Sequence, residues 1–238
     1  MIEWILTMFS FFKKKSVLYI CALIIIFLLH ASYIDNGLVW LDHGDIEAGR
    51  VVMPVDQLPS TLFTRFGDTG FYRPLVTVTE SIDYALYGSW IPGYHLTNVL
   101  LHLLAVALIP LFLVVFFRFT FLQTLFAMLL VGIHPLGWLP VGAIAYRSEL
   151  LLAIFTFLTI IFHKKARTQE SALSEFLTII SFFLALLSKE TALFVVPAII
   201  LLWEAGGLEK VPRVSRVSRV PRALISRNIS LFISEIAV

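Results

Sequence analysis

The chain has 238 residues, 59% of them hydrophobic and 14% charged, with a mean hydropathy of +0.90. A soluble globular protein carries roughly 45–50% apolar and about 25% charged residues, and a disordered chain needs low hydrophobicity with high net charge, so both are excluded. The net charge of +2 says little as a total, and Cys21, the single cysteine, supports neither a disulfide framework nor a cysteine metal site.

What remains is a polytopic membrane protein, in which each spanning helix needs about 20 mostly apolar residues. Residues 1–12, MIEWILTMFSFF, are too short to span and read as an interfacial segment before Lys13-Lys14-Lys15. The run Val17–Tyr33 follows. It is long and no A-x-A-like cleavage site comes after it, so it reads as an uncleaved helix rather than a secretory signal. Residues 35–93 are different in kind: eight acidic residues, three arginines and Pro54, Pro59, Pro74 and Pro92 leave no window able to span. They are expected to form a large loop on the outer membrane surface, with short amphipathic pieces.

Apolar runs resume at Tyr94–Phe117, which ends at Arg118, and Phe119–His134, which closes at Pro135. After a polar-aromatic turn (Leu136–Arg147), Ser148–His163 leads into Lys164, Lys165 and Arg167. Two shorter runs, Ala172–Leu187 and Thr191–Trp203, are separated by Ser188-Lys189-Glu190. The expected fold is therefore all-α, with about six transmembrane helices. Placing the N-terminus inside puts 13 of the 18 basic residues on the cytoplasmic side, which fixes the orientation by the positive-inside rule. The expected organisation is a cytoplasmic or interfacial segment (1–16), a membrane domain (17–204) and a basic low-complexity tail (205–238). The tail contains VPRVSRVSRVPR (Val211–Arg222) and suits the neighbourhood of anionic headgroups. Asn228-Ile229-Ser230 matches a glycosylation pattern that this orientation makes silent.

Ionisable residues in or beside membrane spans are costly and therefore informative. Asp42 and Asp45, in LDHGD just beyond the first run, could supply a general base or bind a divalent cation. The plainer alternative is a turn in which Asp45 caps a helix starting at Ile46. His95, Asn98 and His102 share one helix face at i, i+3 and i+7. They either bond neighbouring helices or line a polar cavity. The two histidines lie about 10 Å apart along the axis, too far for one zinc ion. Arg147-Ser148-Glu149 and Ser188-Lys189-Glu190 each set a cation beside an anion at the outer face: structural ion pairs, or a pair of cations for a phosphate. His134-Pro135 and Pro140 read as a tight re-entry turn. No Gly-rich phosphate loop, Ser-His-Asp spacing or His-Glu-x-x-His occurs, so soluble-type nucleotide chemistry has no support; the expectation is no resident metal, no cofactor and no nucleic-acid partner.

Five segments in order carry a resemblance: VWLDHGDI (Val39–Ile46), FYRPLVTVTESIDYALYG (Phe71–Gly88), GYHLTNVLLHLL (Gly93–Leu104), GIHPLGWLPVGAIAYRSELLLAIF (Gly132–Phe155) and LLSKETALFVVP (Leu186–Pro197). Together they resemble the N-terminal membrane region of GT-C glycosyltransferases, nearest to the transmembrane and tetratricopeptide-repeat-containing O-mannosyltransferases and their prokaryotic relatives. The resemblance implies transfer of a sugar from a polyprenyl- or dolichyl-phosphate carrier to a hydroxyl of a protein or glycan at the outer face. It implies Asp42 as the general base, with Asp45 an imperfect second carboxylate. Arg147 and Lys189 would stabilise the leaving lipid phosphate, while Arg73, His95, His102 and Glu190 would shape the substrate pocket. The implied location is a prokaryotic plasma membrane, or the endoplasmic reticulum membrane in a eukaryote. Such enzymes usually have more than six spans, and these relatives end in helical repeats absent here; the expectation is a truncated product. A different class of reading is a catalytically silent membrane protein that binds a lipid-linked sugar or scaffolds a partner.

Overall fold

The computed structural model describes residues 16–205, with Thr64 and Asp68 left out. The chain divides into two units, Met1–Gly206 and Gly207–Val238, and the described residues belong to the first. The interfacial segment, Lys13–Lys15, the arginine-rich tail and Asn228 lie outside them.

Among the described residues the fold is helical, without strands. The helices are α1 (Ser16–His30), α2 (Pro74–Tyr87), α3 (Ile91–Phe117), α4 (Phe121–Gly132), α5 (Trp138–Gly142), α6 (Arg147–Gln169), α7 (Ala172–Ser188) and α8 (Ala192–Ala205). All six apolar runs of the sequence are helical. Three stretches are long and apolar enough to cross a membrane: Ser16–Tyr33, Ile91–Phe117 and Ile144–Gln169. A fourth crossing is available if α4 and the following Pro135–Gly142 count together, across a bend of 53°. The last two, α7 (17 residues) and α8 (14 residues), are apolar but shorter. This is an all-α, multi-pass membrane protein.

Local chemistry explains the helix ends. Arg118 and Glu170 adopt left-handed backbone (φ 55° and 47°) and stop α3 and α6. Thr120 opens α4 with its N–H donating to Gln123 Oε1 at 2.9 Å, half of a capping box. Helix α6 runs past the expected His163 and carries Lys164, Lys165 and Arg167 in its last turns. The fold is arranged for an apolar solvent. On α1, Tyr19, Ala22, Ile26 and His30 are buried at helical spacing, while Leu18, Ile24, Ile25, Leu28 and Leu29 face outward. Helix α6 packs on α3 and α7, and α1 on α3 and α4. One apolar core joins Tyr19, Ile26, Val106, Ile109 and Met128.

Residues 35–93 contain a helical turn at His43–Glu47, a 3-10 segment at Val55–Phe63 and α2. Helix α2 packs against α3, α6 and α7. Its buried side is polar: Thr77, Glu80, Ser81 and Asp83 lie inside with Val76, while Ile82, Tyr84 and Leu86 are exposed. That order is the reverse of a helix on a soluble protein and is the one an apolar surrounding selects.

Candidate functional site

The polar face of α2 meets one buried arginine. Arg147, the first residue of α6, is fully buried. Its Nη2 stands 2.6 Å from Asp83 Oδ2 and donates to the Tyr94 carbonyl at 3.2 Å, while its Nε donates to Asn98 Oδ1 at 2.7 Å. Asn98 in turn donates from Nδ2 to the carbonyls of Pro140 and Ala143 (3.2 and 3.3 Å), and Thr97 donates to Asp83 Oδ1 at 2.8 Å. One guanidinium thus joins α2, α3 and α6. Arginine suits this because its planar fork serves several acceptors at once. Burial pushes the Asp83 carboxyl above its ordinary range, and Arg147 pulls the other way.

Asp42 is also fully buried. Its Oδ1 accepts the Ala145 N–H at 2.8 Å and its Oδ2 the Val39 N–H at 3.2 Å. The carboxylate closes its own turn and ties the segment after α1 to the one entering α6. Asp45 does not cap a helix. It lies inside a wide turn, His43–Glu47, closed by the Ala48 N–H on the His43 carbonyl at 2.9 Å. Its Oδ1 accepts Arg50 Nη2 at 2.5 Å. Burial raises its affinity for a proton, and Arg50 opposes this.

The cations and anions adjacent in sequence do not pair with one another. Lys189 pairs with Glu149, and Arg73 holds Glu190 through Nε and Nη2 at 3.1 and 2.7 Å. The Arg73 guanidinium also lies 4.3 Å from the centre of the Phe71 ring. Its hydrogen bond holds the Glu190 carboxyl below the usual carboxylate range. Both readings of these cations therefore bear on the same atoms: ion pairs as they stand, phosphate ligands if a stronger anion displaces the glutamates.

The stripe on α3 is buried throughout, but its members face different surroundings. His95 is fully enclosed, in the field of Asp42 and Arg147, and neither ring nitrogen meets the geometry of a hydrogen bond. His102 turns to α4, with Nε2 on the Gly132 carbonyl at 3.2 Å and its ring 4.8 Å from that of His30. Beside it opens a cavity of about 450 Å³, walled by apolar residues of α3, α4 and α6 such as Val106, Ile109 and Phe157. Its few polar lining residues are His102, His134 and Glu149. Among the described residues, no group of three or more His, Cys, Asp or Glu is placed to hold a metal ion.

Two participants escaped the sequence reading, Glu80 and Asp83. Their signal was present: Thr77, Glu80 and Asp83 recur every third residue after Pro74, the spacing that singled out His95 and Asn98. Glu80 is fully buried, and burial pushes its carboxyl up to about 8 against the pull of Arg147, with Asp45, Asp42 and Asp83 raising it further.

No known protein-family model matches the chain, and no solved structure matches it. Curated proteins do. The chain is 31% identical over 135 residues to a protein O-mannosyl-transferase of Caenorhabditis elegans, covering 53% of this chain and 18% of that protein. It is 33% identical over 144 residues to the human protein O-mannosyl-transferase TMTC4, covering 52% and 19%. It is 29% identical over 179 residues to protein O-mannosyl-transferase Tmtc1 of Drosophila melanogaster, covering 70% and 20%. The matched part spans about a fifth of these relatives' own length. The resemblance carried by the sequence motifs is borne out: over about half of its length, the chain is similar to the TMTC protein O-mannosyl-transferases.

Proposed function

We propose that the chain takes part in sugar transfer from a polyprenyl- or dolichyl-phosphate carrier to a hydroxyl acceptor, a protein Ser or Thr, at the outer face of its membrane. That face is the exterior of a prokaryotic plasma membrane or the lumen of a eukaryotic endoplasmic reticulum. One observation carries the reading: a single segment, His134–Glu149, serves both the cavity and the carboxylate cluster. Its His134, Pro140 and Glu149 line the apolar cavity, while its Ala145 N–H holds Asp42. A lipid chain would lie in the cavity, with its phosphate at the end where Glu149 holds Lys189.

In this mechanism Asp42 takes the proton of the acceptor hydroxyl as its oxygen bonds to the sugar carbon. The bond from that carbon to the phosphate oxygen breaks, and the lipid phosphate leaves with the electron pair. Of the two cations expected to stabilise that charge, Lys189 keeps the role, and Arg73, which holds Glu190, replaces Arg147, whose guanidinium is taken by Asp83, Asn98 and the Tyr94 carbonyl. The test is transfer from radiolabelled polyprenyl-phosphate mannose in membranes expressing the chain. Asp42→Asn lowers turnover by roughly 100-fold or more, the scale of a lost general base; retained turnover ends the assignment.

A second reading has an observation of its own. Asp42 is fully buried and the nearby cations are paired, which suits a protein that binds a lipid-linked sugar without reacting. In the same membranes it gives saturable binding of the labelled donor with no transfer.

A further inference from the structure

Among the described buried carboxylates (Asp42, Asp45, Glu80 and Asp83), Glu80 alone has neither oxygen in a hydrogen bond. The polar groups around it come from every side of the site. Arg147 faces it from α6, Asp42 and Asp45 from the segment between α1 and α2, Asp83 from the next turn of α2, and Tyr94 from α3. His95, also on α3, lies in the field of Asp42 and Arg147. The two cations directly engaged with these carboxylates are Arg147, through Asp83, and Arg50, through Asp45. Asp83 and Asp45 already occupy those two cations, and Asp42 is held by the backbone N–H groups of Ala145 and Val39. The Nη2 and Nε of Arg147 are taken by Asp83, the Tyr94 carbonyl and Asn98, and its Nη1 reaches neither Glu80 oxygen, so an ionised Glu80 would have to draw the guanidinium away from Asp83 to be paired. A buried charge without a compensating partner is strongly disfavoured, and such a group neutralises instead.

We propose that Glu80 is a positioning residue that serves the site as a neutral carboxylic acid: uncharged, it leaves Arg147 to Asp83 and keeps a fourth negative charge away from Asp42. The part concerning Asp42 rests on its reading as the base. An ionised Glu80 would strengthen the hold of Asp42 on a proton, so each catalytic cycle would release it less readily. Above the titration of Glu80, the tie between α2 and α6 loosens.

The test uses the 238-residue chain in lipid nanodiscs and needs no substrate. Native Glu80 keeps its proton up to about pH 8, whereas the unfolded chain releases it near 4.5. The folded state therefore binds more protons between those values, and stability falls as pH rises through that window, levelling above it. The Tm of Glu80→Gln, which has no such proton, exceeds that of the wild type by an amount that grows from pH 5 to pH 8, reaching roughly 5 °C or more. A difference that does not change with pH overturns the proposal. The infrared spectrum is an independent measure that survives a variant failing to fold: wild type shows a protonated-carboxyl C=O band at pH 7 that disappears on alkaline titration. The absence of that band at pH 7 overturns it equally. Where transfer is measurable, Glu80→Gln stays within about threefold of wild type at pH 7 and loses the alkaline decline; a hundredfold loss at every pH in a folded variant contradicts the neutral-acid role. Failure of the base assignment is read separately, from Asp42→Asn, and leaves the stability and infrared results standing.

Discussion

The guanidinium of Arg147 is shared among three helices, and this is where sequence and structure weigh most differently. Read along the chain, Arg147 is a cation beside Glu149 and a candidate for a phosphate. In the fold it faces Asp83, Asn98 and the Tyr94 carbonyl and is fully buried. Arg147→Met leaves Asp83 as an uncompensated buried charge and costs about 3–5 kcal/mol, seen as a large drop in Tm or loss of folded protein. Arg147→Lys recovers only part of this, because an ammonium is a point charge rather than a fork. Lys189 is nearer the phosphate role, since its partner Glu149 lines the cavity. Lys189→Met is expected to weaken binding of polyprenyl-phosphate mannose by about tenfold while leaving Tm nearly unchanged, as befits a partly exposed pair. Asp42 was legible as a candidate from its place after the first span; its bonds were not. One of its oxygens accepts Val39 N–H and the other Ala145 N–H, and the amide group of Asn can satisfy just one of them. Asp42→Asn therefore costs about 1–3 kcal/mol in stability besides its effect on turnover, and the transfer assay belongs beside a Tm measurement.

At the scale of elements, the apolar runs are helical as expected, but of the six expected spans three are long and apolar enough to cross, or four with the bent pair, because composition marks a helix more readily than it fixes its length. The ends were set by local rules: Arg118 and Glu170 in left-handed backbone, and Thr120 with Gln123 at the start of α4. Helix α2 was harder to read. Its polar side is inside, so a search for an apolar stripe misplaces it unless the surroundings are known to be apolar. The join between α2 and α3 depends on a close approach: a Cβ on Gly93 would run into Cγ of Tyr87, the rigid root of that ring. Tyr87 has little room to yield, since its ring also meets Trp90 and Tyr94. Gly93→Ala is expected to destabilise the fold by roughly 1–3 kcal/mol through overpacking, measured as a fall in Tm. The same variant should reduce transfer, because α2 carries Asp83 and α3 carries Asn98 to Arg147.

Among the described residues, the ion pairs fall in two groups. In one, Arg50, Arg73, Arg147 and Lys189 meet Asp45, Glu190, Asp83 and Glu149. In the other, Arg167 meets Glu204 at 2.9 Å, and Lys164 donates to the Val115 carbonyl near the end of α3, beside Phe116 and Trp203. Orientation follows as a prediction: in a Cys21→Ser background, cysteines placed at Phe63 and at Arg118 react with an impermeant thiol reagent from opposite sides, with Phe63 outside. Labelling of both from one side refutes the assigned topology. Composition and the periodicities within single segments were enough for the membrane class and the apolar helices, but not for α2 within the acidic segment. Which ion meets which is visible only in the packed fold: Arg147 with Asp83, Lys189 with Glu149, Arg73 with Glu190, and Glu80 with no partner for its oxygens. Pairing of buried charges is a matter of a few ångströms between segments far apart in the chain, and no local pattern encodes that distance.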